Sequence, residues 1–434
     1  MPAKPSSLLA ASLLTMALTL SASAQSSGKS ASAPPLRTIF QTAELTGSDV
    51  QALSTLGYSI AVSGNTVAVG APGGQSAEQG SVTGAVYVYV KPDNGWGNMT
   101  QVAKLTASDT SGVNGFGSSV AINGDTIVAD SDYPEVYVFT KPAGGWVDMT
   151  ETAILSMSSI GLGPCLCGPL AIDEDTIAVG SPLDALGNYG TIEVFTKPAA
   201  GWTSVSQPSG VLFAAGAQSE DQSFHSIAMS GGTIVGEVLS TSGRAAEYFI
   251  YLYTRPAAGW NGDYSQQAVL ASTQAGNYFT GGTVSISGNT VVAGSSSPNL
   301  TFFPPSFVDV WVEPATGWSG VTMTETAQLS DGTTSYADGF GTSTAIEGDT
   351  IVVGTPAAIV IKSGKSYRGA AFVFNKPSGG WQTTSTPNAE LRASDSTVND
   401  GFGSSVSMSG DVIAIGAPYG PRGQSAGEAY VFVK

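Results

Sequence analysis

Acidic and amide side chains recur at one place in this sequence, the stretch that leads into a Phe-Gly pair. These residues are Asp109, Asn114, Asp331, Asp338, Asp395, Asn399 and Asp400. Their oxygens can cap local turns by accepting backbone hydrogen bonds, or they can bind a cation or a polar ligand. Turn capping is the simpler interpretation, and a ligand-binding face formed by these residues is the alternative.

Patterns typical of nucleophilic catalysis and of phosphate binding are present but incomplete. Residues 423–427 read Gly-Gln-Ser-Ala-Gly, a hydrolase nucleophile pattern, yet no helix is expected to follow them. A Ser–His mechanism would depend on His225, the single histidine. Residues 363–366 read Ser-Gly-Lys-Ser, but Ile359 stands where a phosphate-binding loop requires glycine. We therefore predict no catalytic residue; a hydrolase or lyase that uses loop carboxylates is the alternative.

The two cysteines of the chain lie next to a single leucine. Cys165 and Cys167 flank Leu166, and in an extended strand their Cα atoms would be about 6.6 Å apart, at the far end of disulfide geometry. One distant histidine makes a zinc site with them a weak hypothesis. The sequence predicts structural thiols or a strained local bridge, and no metal site.

The N-terminus has the three parts of a secretory signal peptide. Lys4 supplies the positive charge, Leu8 to Leu20 the apolar stretch, and Ala22-Ser23-Ala24 the small-residue cleavage site. We predict a signal peptide over residues 1–24 and a flexible linker over residues 25–35, rich in Ser, Ala and Pro. The expected location is secreted, periplasmic or at the cell surface.

Charge restricts the partners of the chain. The formal net charge is −17, which repels nucleic acid phosphates and anionic lipid heads. We predict no nucleic-acid partner, no membrane insertion after signal cleavage, and a monomeric protein. With only 11% charged residues and 55 glycines, the composition favours many short strands joined by tight turns.

One unit of about 50 to 60 residues recurs along residues 36–434. Its landmarks are a Phe-Gly strand start, a Gly-Asn or Gly-Asp turn, a strand ending in Gly-Ala-Pro, an aromatic strand leading to Gly-Trp, and a strand that closes on leucine. The closing residues are Leu45, Leu105, Leu155, Leu212, Leu270, Leu329 and Leu391. Such a four-stranded sheet cannot bury both apolar faces alone, so we predict an all-β fold, a single seven-bladed β-propeller of four-stranded antiparallel blades.

The two ends of the chain supply complementary parts of one unit. Thr38 to Leu45 is a fourth strand with no strands before it, and the last unit stops after its third strand, at Lys434. Pairing the N-terminal strand with the C-terminal three would complete the seventh blade and remove two exposed sheet edges. Trp96 and its five counterparts each lie just past a Pro-containing turn, and we predict that they pack between blades.

The Phe-Gly start and Gly-Ala-Pro end resemble the FG-GAP repeat, known from the integrin α-chain propeller. The best matches start at Leu56, Phe340 and Phe402; the units around Leu166, Phe224 and Phe279 are degenerate. The resemblance implies adhesion or ligand binding, usually without catalysis. Integrin-like blades carry calcium loops, but here the matching connection is a two-residue turn with too few oxygens. We expect no cofactor, and calcium only at a site of another kind.

Long, variable connections on one end of the ring are the expected binding region. They include the apolar pair Phe302 and Phe303, a candidate docking patch, and Tyr419. We predict an exported, non-catalytic binding or adhesion-type propeller whose partner is an extracellular protein or glycan. A lectin-like propeller is the alternative, and it would repeat one pocket with an exposed aromatic residue and an acid in several blades. The enzyme alternative requires a group of acids in the central channel with perturbed pKa values.

Overall fold

Short β-strands form the regular secondary structure of the chain, as the composition predicts. The computed structural model describes residues 36–73, 75–76, 80–81, 83–109, 115–131, 135–157, 168–183, 189–215, 224–240, 247–273, 283–295, 307–332, 338–362, 365–396, 400–420 and 426–434. The predicted signal peptide and linker lie outside these residues. Within them, the elements are strands and turns, without an α-helix.

Seven antiparallel sheets follow one another along the chain and confirm the seven predicted blades. The first strands are Ser59–Ser63, Val120–Asn123, Leu170–Asp173, Phe224–Ser230, Val284–Ser287, Ser343–Glu347 and Ser405–Ser409. The second strands are Thr66–Ala71, Thr126–Asp130, Thr176–Leu183, Thr233–Ser240, Thr290–Ser295, Thr350–Lys362 and Val412–Ala417. The third strands are Ala85–Val90, Glu135–Thr140, Tyr189–Thr196, Glu247–Thr254, Phe307–Val312, Lys365–Asn375 and Glu428–Val433. The fourth strands are Ala103–Thr106, Ala153–Ser156, Gly210–Phe213, Ala268–Ala271, Ala327–Leu329, Ala389–Arg392 and Ala43–Thr46.

We number the blades 1 to 7 in the order of these lists. A short hairpin of Gln75–Ser76 and Gly80–Ser81 lies between the second and third strands of blade 1 in the sequence. In every blade, the connection between the first and second strands has two residues, as between Ser63 and Thr66. Its first residue is often a glycine at positive φ, such as Gly64 at 55°, a conformation that glycine adopts without steric cost.

The four antiparallel strands predicted for each blade are present, and each blade also gains a fifth, parallel segment. Five such strands are Arg37–Phe40, Met99–Thr100, Met149–Thr150, Gly262–Ser265 and Gly320–Thr324. In blades 2 and 5 the segment is reduced to one bridge, formed by Val205 and by Thr384. Apart from Arg37–Phe40, each segment comes from the third-to-fourth connection of the next blade. The added pairing covers the outer edge of each sheet and links neighbours.

The predicted closure of the ring is present in blade 7. Ala43 pairs with Val431 and Leu45 pairs with Ala429, antiparallel. The segment predicted as one strand from Thr38 to Leu45 is, however, two strands that serve different blades. Arg37–Phe40 runs parallel to the fourth strand of blade 6, and Ala43–Thr46 is the fourth strand of blade 7. The N-terminal segment therefore joins the last two blades as well as closing the ring.

The apolar core is divided among the faces between neighbouring blades. Each of seven clusters combines side chains of two adjacent sheets, for example Val67 of blade 1 with Val431 of blade 7. The six tryptophans of the Gly-Trp pairs lie in these clusters with 1–8% of their surface exposed. Their predicted position between blades is confirmed, and burial of such large side chains is a main source of stability for stacked sheets.

A backbone contact explains the Phe-Gly and Gly-Ala-Pro motifs. The amide of Gly57 donates to the carbonyl of Gly70 within blade 1 (3.1 Å). The carbonyl of Gly117, from blade 2, accepts a hydrogen bond from the Ser59 hydroxyl of blade 1 (2.8 Å). A side-chain carbon at Gly70 would overlap this Gly117 carbonyl. Both motif glycines are therefore required by the close approach of two blades.

Candidate functional site

A polar cavity of about 480 Å³ opens at the centre of the ring, where the first strands of all seven blades begin. Its size falls within the range of small-molecule sites, about 300–1,000 Å³. Its lining includes Tyr58, Ser59, Ser118, Ser119, Asp130, His225, Ser226, Thr342, Ser404 and Ser405. Hydroxyl groups dominate this wall.

The cavity lies on the end of the ring from which the long connections leave. The start of each first strand pairs with the end of the second strand, as Ser59 does with Gly70. The second-to-third and fourth-to-first connections therefore depart beside the cavity, and the third-to-fourth connections leave from the opposite end. We call the two ends of the ring the loop end and the plain end.

Most of the lining hydroxyls are held by backbone groups. Ser118, Thr342 and Ser404, each directly after a Phe-Gly pair, donate to the carbonyls three residues earlier, at 2.7 Å for Thr342 and Ser404. Ser59 and Ser405 donate to backbone carbonyls of the next blade, those of Gly117 and Gly57, both at 2.8 Å. Local turns and blade contacts therefore fix the orientation of these oxygens before any ligand binds.

Asp130 is the one carboxylate among the described residues that line the cavity. It occupies the position of the Gly-Ala-Pro glycine in blade 2, with 3% of its surface exposed. Its Oδ1 accepts a hydrogen bond from the Ser119 amide at 2.6 Å. The channel group of acids that the enzyme alternative requires is thus not formed by the described lining residues.

Glu237 fills the equivalent glycine position in blade 4 but is not part of the cavity wall. The register pairs it with Ser226, as Gly70 pairs with Ser59. Its carboxyl is buried, and Oε2 has no partner among the described residues. Burial disfavours the ionised form and raises the pKa of Glu237 to about 8. This carboxyl group belongs to the packing between blades and has no access to a ligand.

His225 lines the cavity in blade 4, directly after Phe224. Its side chain is exposed to the cavity, and surrounding protein atoms partly desolvate it, which lowers its pKa below the ordinary value of 6.5. The ring is therefore neutral at pH 7, with one nitrogen that donates and one that accepts. Ser425, the serine of the nucleophile pattern, lies outside the described residues.

Two of the predicted acids contact tyrosines across a blade junction. Asp109 accepts from the Tyr137 hydroxyl at 2.9 Å, and Asp395 accepts from Tyr430 at 3.1 Å. Burial and the adjacent carboxylate raise the pKa of Tyr137 and of Tyr430 well above the ordinary value, so both hydroxyls keep their protons. The sequence predicted that these two side chains cap local turns. In the structure they accept hydrogen bonds from tyrosines of the next blade instead.

Sequence reasoning missed a third member of this set. Asp49 accepts from Tyr87 at 2.8 Å and forms an ion pair with Lys104. A signal was present: each of these aspartates lies four residues after the closing leucine of a fourth strand. Each tyrosine is the third residue of a strand that begins with Ala85, Glu135 or Glu428.

The remaining predicted site residues are dispersed. Asp331 and Asp338 lie half-buried between blades 5 and 6, and Asp400 is buried at the start of blade 7. Tyr419 is half exposed, at 50%, on the loop end, and its amide donates to the Asp400 carbonyl at 3.0 Å. Asn114, Asn399, Phe302, Phe303, Cys165 and Cys167 lie outside the described residues. A common ligand-binding role for the set stays a prediction.

Three carboxylates that no sequence pattern singled out together meet beside blade 7. Ligand oxygens of Glu44, Asp395 and Glu428 lie within 4.8 Å of one another. Tyr430 donates to this group, at 2.8 Å from Glu428. The strand pairing of Glu44 with Tyr430 brings the N-terminal acid to the others. Such a group of oxygens can attract a cation, although acidic surfaces often contain similar groups without one.

Known proteins resemble this chain in its repeats. The FG-GAP repeat model matches residues 39–89, 99–139, 323–374 and 386–432. No curated protein matches the chain. Among solved structures, the computationally designed Ika8 protein is similar over 91% of this chain and 99% of its own, with 14% identity and a TM-score of 0.44.

In the described part of the chain, no helix has the length and apolar character needed to cross a bilayer. The repeats matched above cover strands of blades 7, 1, 2, 5 and 6. The chain is a seven-bladed β-propeller that contains FG-GAP repeats.

Proposed function

We propose that this chain is an exported, non-catalytic binding propeller that holds an extracellular protein or glycan at the loop end of its ring. The observation that supports this most is the central cavity, to which all seven blades contribute and around which the long connections depart. A rigid ring with variable loops around a preformed concave site is a common arrangement for binding. FG-GAP propellers are also typically non-catalytic.

The burial of the repeated tryptophans argues against the version in which several blades repeat one sugar pocket. A sugar platform requires an exposed aromatic face, but these six side chains are at most 8% exposed. In a single site at the centre of the ring, each blade contributes its own part of the wall. Such a site agrees better with loops of different lengths than a pocket repeated in several blades does. The protein would act as a monomer, since one ring already forms the complete cavity.

Two exposed side chains at opposite ends allow a matched test. Tyr419 on the loop end and Val147 on the plain end are each 50% exposed. We would probe arrays of glycans and of extracellular proteins with the exported chain and with its Tyr419→Ala and Val147→Ala variants, with and without a chelator. We expect binding that weakens in Tyr419→Ala, is unchanged in Val147→Ala, and does not depend on the chelator.

Other outcomes would contradict the proposal directly. Weaker binding in Val147→Ala alone would move the binding site to the plain end. Turnover of an arrayed glycan would show an enzyme. Loss of binding in the chelator would show that a cation is needed, in conflict with the short first-to-second turns.

A further inference from the structure

The hydroxyls on one part of the cavity wall can only accept hydrogen bonds from a ligand. This acceptor wall consists of Ser59, Ser118, Ser404 and Ser405, all half-buried. Each of them donates its one proton to a backbone carbonyl. A hydroxyl has a single proton and two lone pairs, so lone pairs are what remain for a bound molecule.

A second part of the wall has the opposite character. The Ser119 hydroxyl accepts from the Leu170 amide at 3.2 Å, and the Ser226 hydroxyl accepts from the Val284 amide at 2.9 Å. Their protons therefore remain available to a ligand. We call Ser119 and Ser226 the donor wall.

The two walls together select a chemical class. An ammonium group donates only and cannot use the donor wall, whereas a carboxylate accepts only and cannot use the acceptor wall. A hydroxyl group both donates and accepts, so a molecule rich in hydroxyls can use both. Asp130 does not change this preference for a hydroxyl-rich ligand, because its side chain is almost fully buried and accepts a hydrogen bond from the Ser119 amide. The net charge of −17 disfavours anions further.

An aromatic ring completes the arrangement. Tyr58 lines the cavity with 47% of its surface exposed, at the blade 1 position that is Ser118, Thr342 or Ser404 elsewhere. Sugar rings have an apolar face of C–H groups, and an exposed aromatic ring offers a surface for it. We propose that the central cavity binds the uncharged terminal sugar of a glycan, with Tyr58 against the sugar face and the two walls on its hydroxyls. This inference rests on the proposed function and narrows its ligand to an uncharged glycan.

The natural sequence suggests a variant that blocks the cavity and still folds. Ser404→Tyr gives blade 7 the residue that blade 1 already has at the same position, so the local backbone accepts it. Ser378→Tyr is the matched control: Ser378 is exposed in a third-to-fourth connection on the plain end. Equal thermal unfolding temperatures for both variants would show that the ring is intact.

The probes are oligosaccharides that end in glucose, galactose or mannose, their sialylated and sulfated counterparts, and a lysine-rich peptide. The exported chain and Ser378→Tyr should bind uncharged oligosaccharides equally. Ser404→Tyr should bind them at least about tenfold more weakly, and Tyr58→Ala roughly fivefold more weakly. Sialylated and sulfated ends should not bind.

Three results would overturn the inference: preference for anionic ends, binding of the lysine-rich peptide alone, or undiminished sugar binding in Ser404→Tyr. The comparison with Tyr419→Ala separates this inference from the proposed function. If Tyr419→Ala weakens binding and Ser404→Tyr does not, the loop end binds the ligand but the cavity does not. If neither variant changes binding, both proposals fail.

Discussion

Six of the seven junctions between blades fall into two kinds, which differ at one glycine position. At four junctions, the Gly-Ala-Pro glycine lies against the Phe-Gly glycine of the next blade, and a side-chain carbon would overlap its carbonyl. These pairs are Gly416 with Gly57, Gly70 with Gly117, Gly294 with Gly341, and Gly354 with Gly403. At the junctions from blade 2 to 3 and from blade 4 to 5, the glycine is replaced by Asp130 and by Glu237.

The hydroxyl residue that pairs with this position has different roles at different junctions. In the regular junctions, Ser59 and Ser405 donate to the glycine carbonyl of the next blade. In the acid-containing junctions, Ser119 and Ser226 accept from a backbone amide of the next blade. At the regular junction of Gly294, Thr283 accepts in the same way, from the Thr344 amide at 2.6 Å. The direction of this hydrogen bond therefore differs from blade to blade, and that difference produces the two walls of the cavity. Irregularity in the repeat is what makes the centre of the ring chemically asymmetric.

The largest effect is expected where a regular junction is broken. In Gly416→Ala, the new methyl group would overlap the Gly57 carbonyl and crowd the Ser405 hydroxyl, at the junction that closes the ring. We expect a loss of about 3 kcal/mol in the free energy of unfolding, because neither backbone can move without breaking strand pairing. Urea unfolding followed by tryptophan fluorescence measures it.

Gly97→Ala is the control for that variant. Gly97 has open space around its Cβ position and a φ that other residues adopt. Its change should stay within about 0.5 kcal/mol. Equal midpoints for the two variants would show that the glycine contact does not hold the blades together.

The acid-containing junction should make stability depend on pH. The carboxyl group of Glu237 ionises near 4.5 in the unfolded chain and near 8 in the folded protein. Between these values, the unfolded state has lost the proton and the folded state retains it, so the free energy of unfolding falls as pH rises. Glu237→Gln should abolish this part of the decrease. At pH 8, the free energy of unfolding of the variant should exceed that of the wild type by a few kcal/mol.

Unfolding midpoints in urea at pH 4.5 and pH 8 measure this difference. Asp309, whose pKa burial raises to about 7, contributes a decrease of the same sign, so Asp309→Asn is the parallel control. If Glu237→Gln unfolds with the same pH dependence as the wild type, the buried carboxyl is not protonated as described.

The smallest effect is expected at the tyrosine–aspartate contacts of the regular blades. Tyr137→Phe removes the hydroxyl bonded to Asp109 and should cost about 1 kcal/mol of unfolding free energy. The ring itself should fit, because Phe372 occupies the equivalent position in blade 6. A double-mutant cycle with Asp109→Ala isolates the pair, and additive losses would show that the contact contributes nothing.

Much of the architecture could be read from the repeat. Seven closing leucines, two-residue turns and complementary chain ends predicted the blade count, the turns and the closure. The fifth strand escaped prediction because it makes only parallel pairs, whose partners are far away in sequence and leave no periodic pattern. The division of the N-terminal segment into two strands escaped for the same reason. The roles of Asp109 and Asp395 escaped because their tyrosine partners lie in the next blade.

The sequence by itself determined the ring, because glycines at fixed places and apolar strands without a covering layer leave stacking as the one way to bury both sheet faces. Tertiary structure alone decided the character of the centre. Which hydroxyl donates and which accepts depends on backbone groups of a neighbouring blade, so Ser59 and Ser226 have the same side chain and opposite roles. A residue type specifies the capacity to form hydrogen bonds, and only the folded neighbours specify how much of that capacity is left for a ligand.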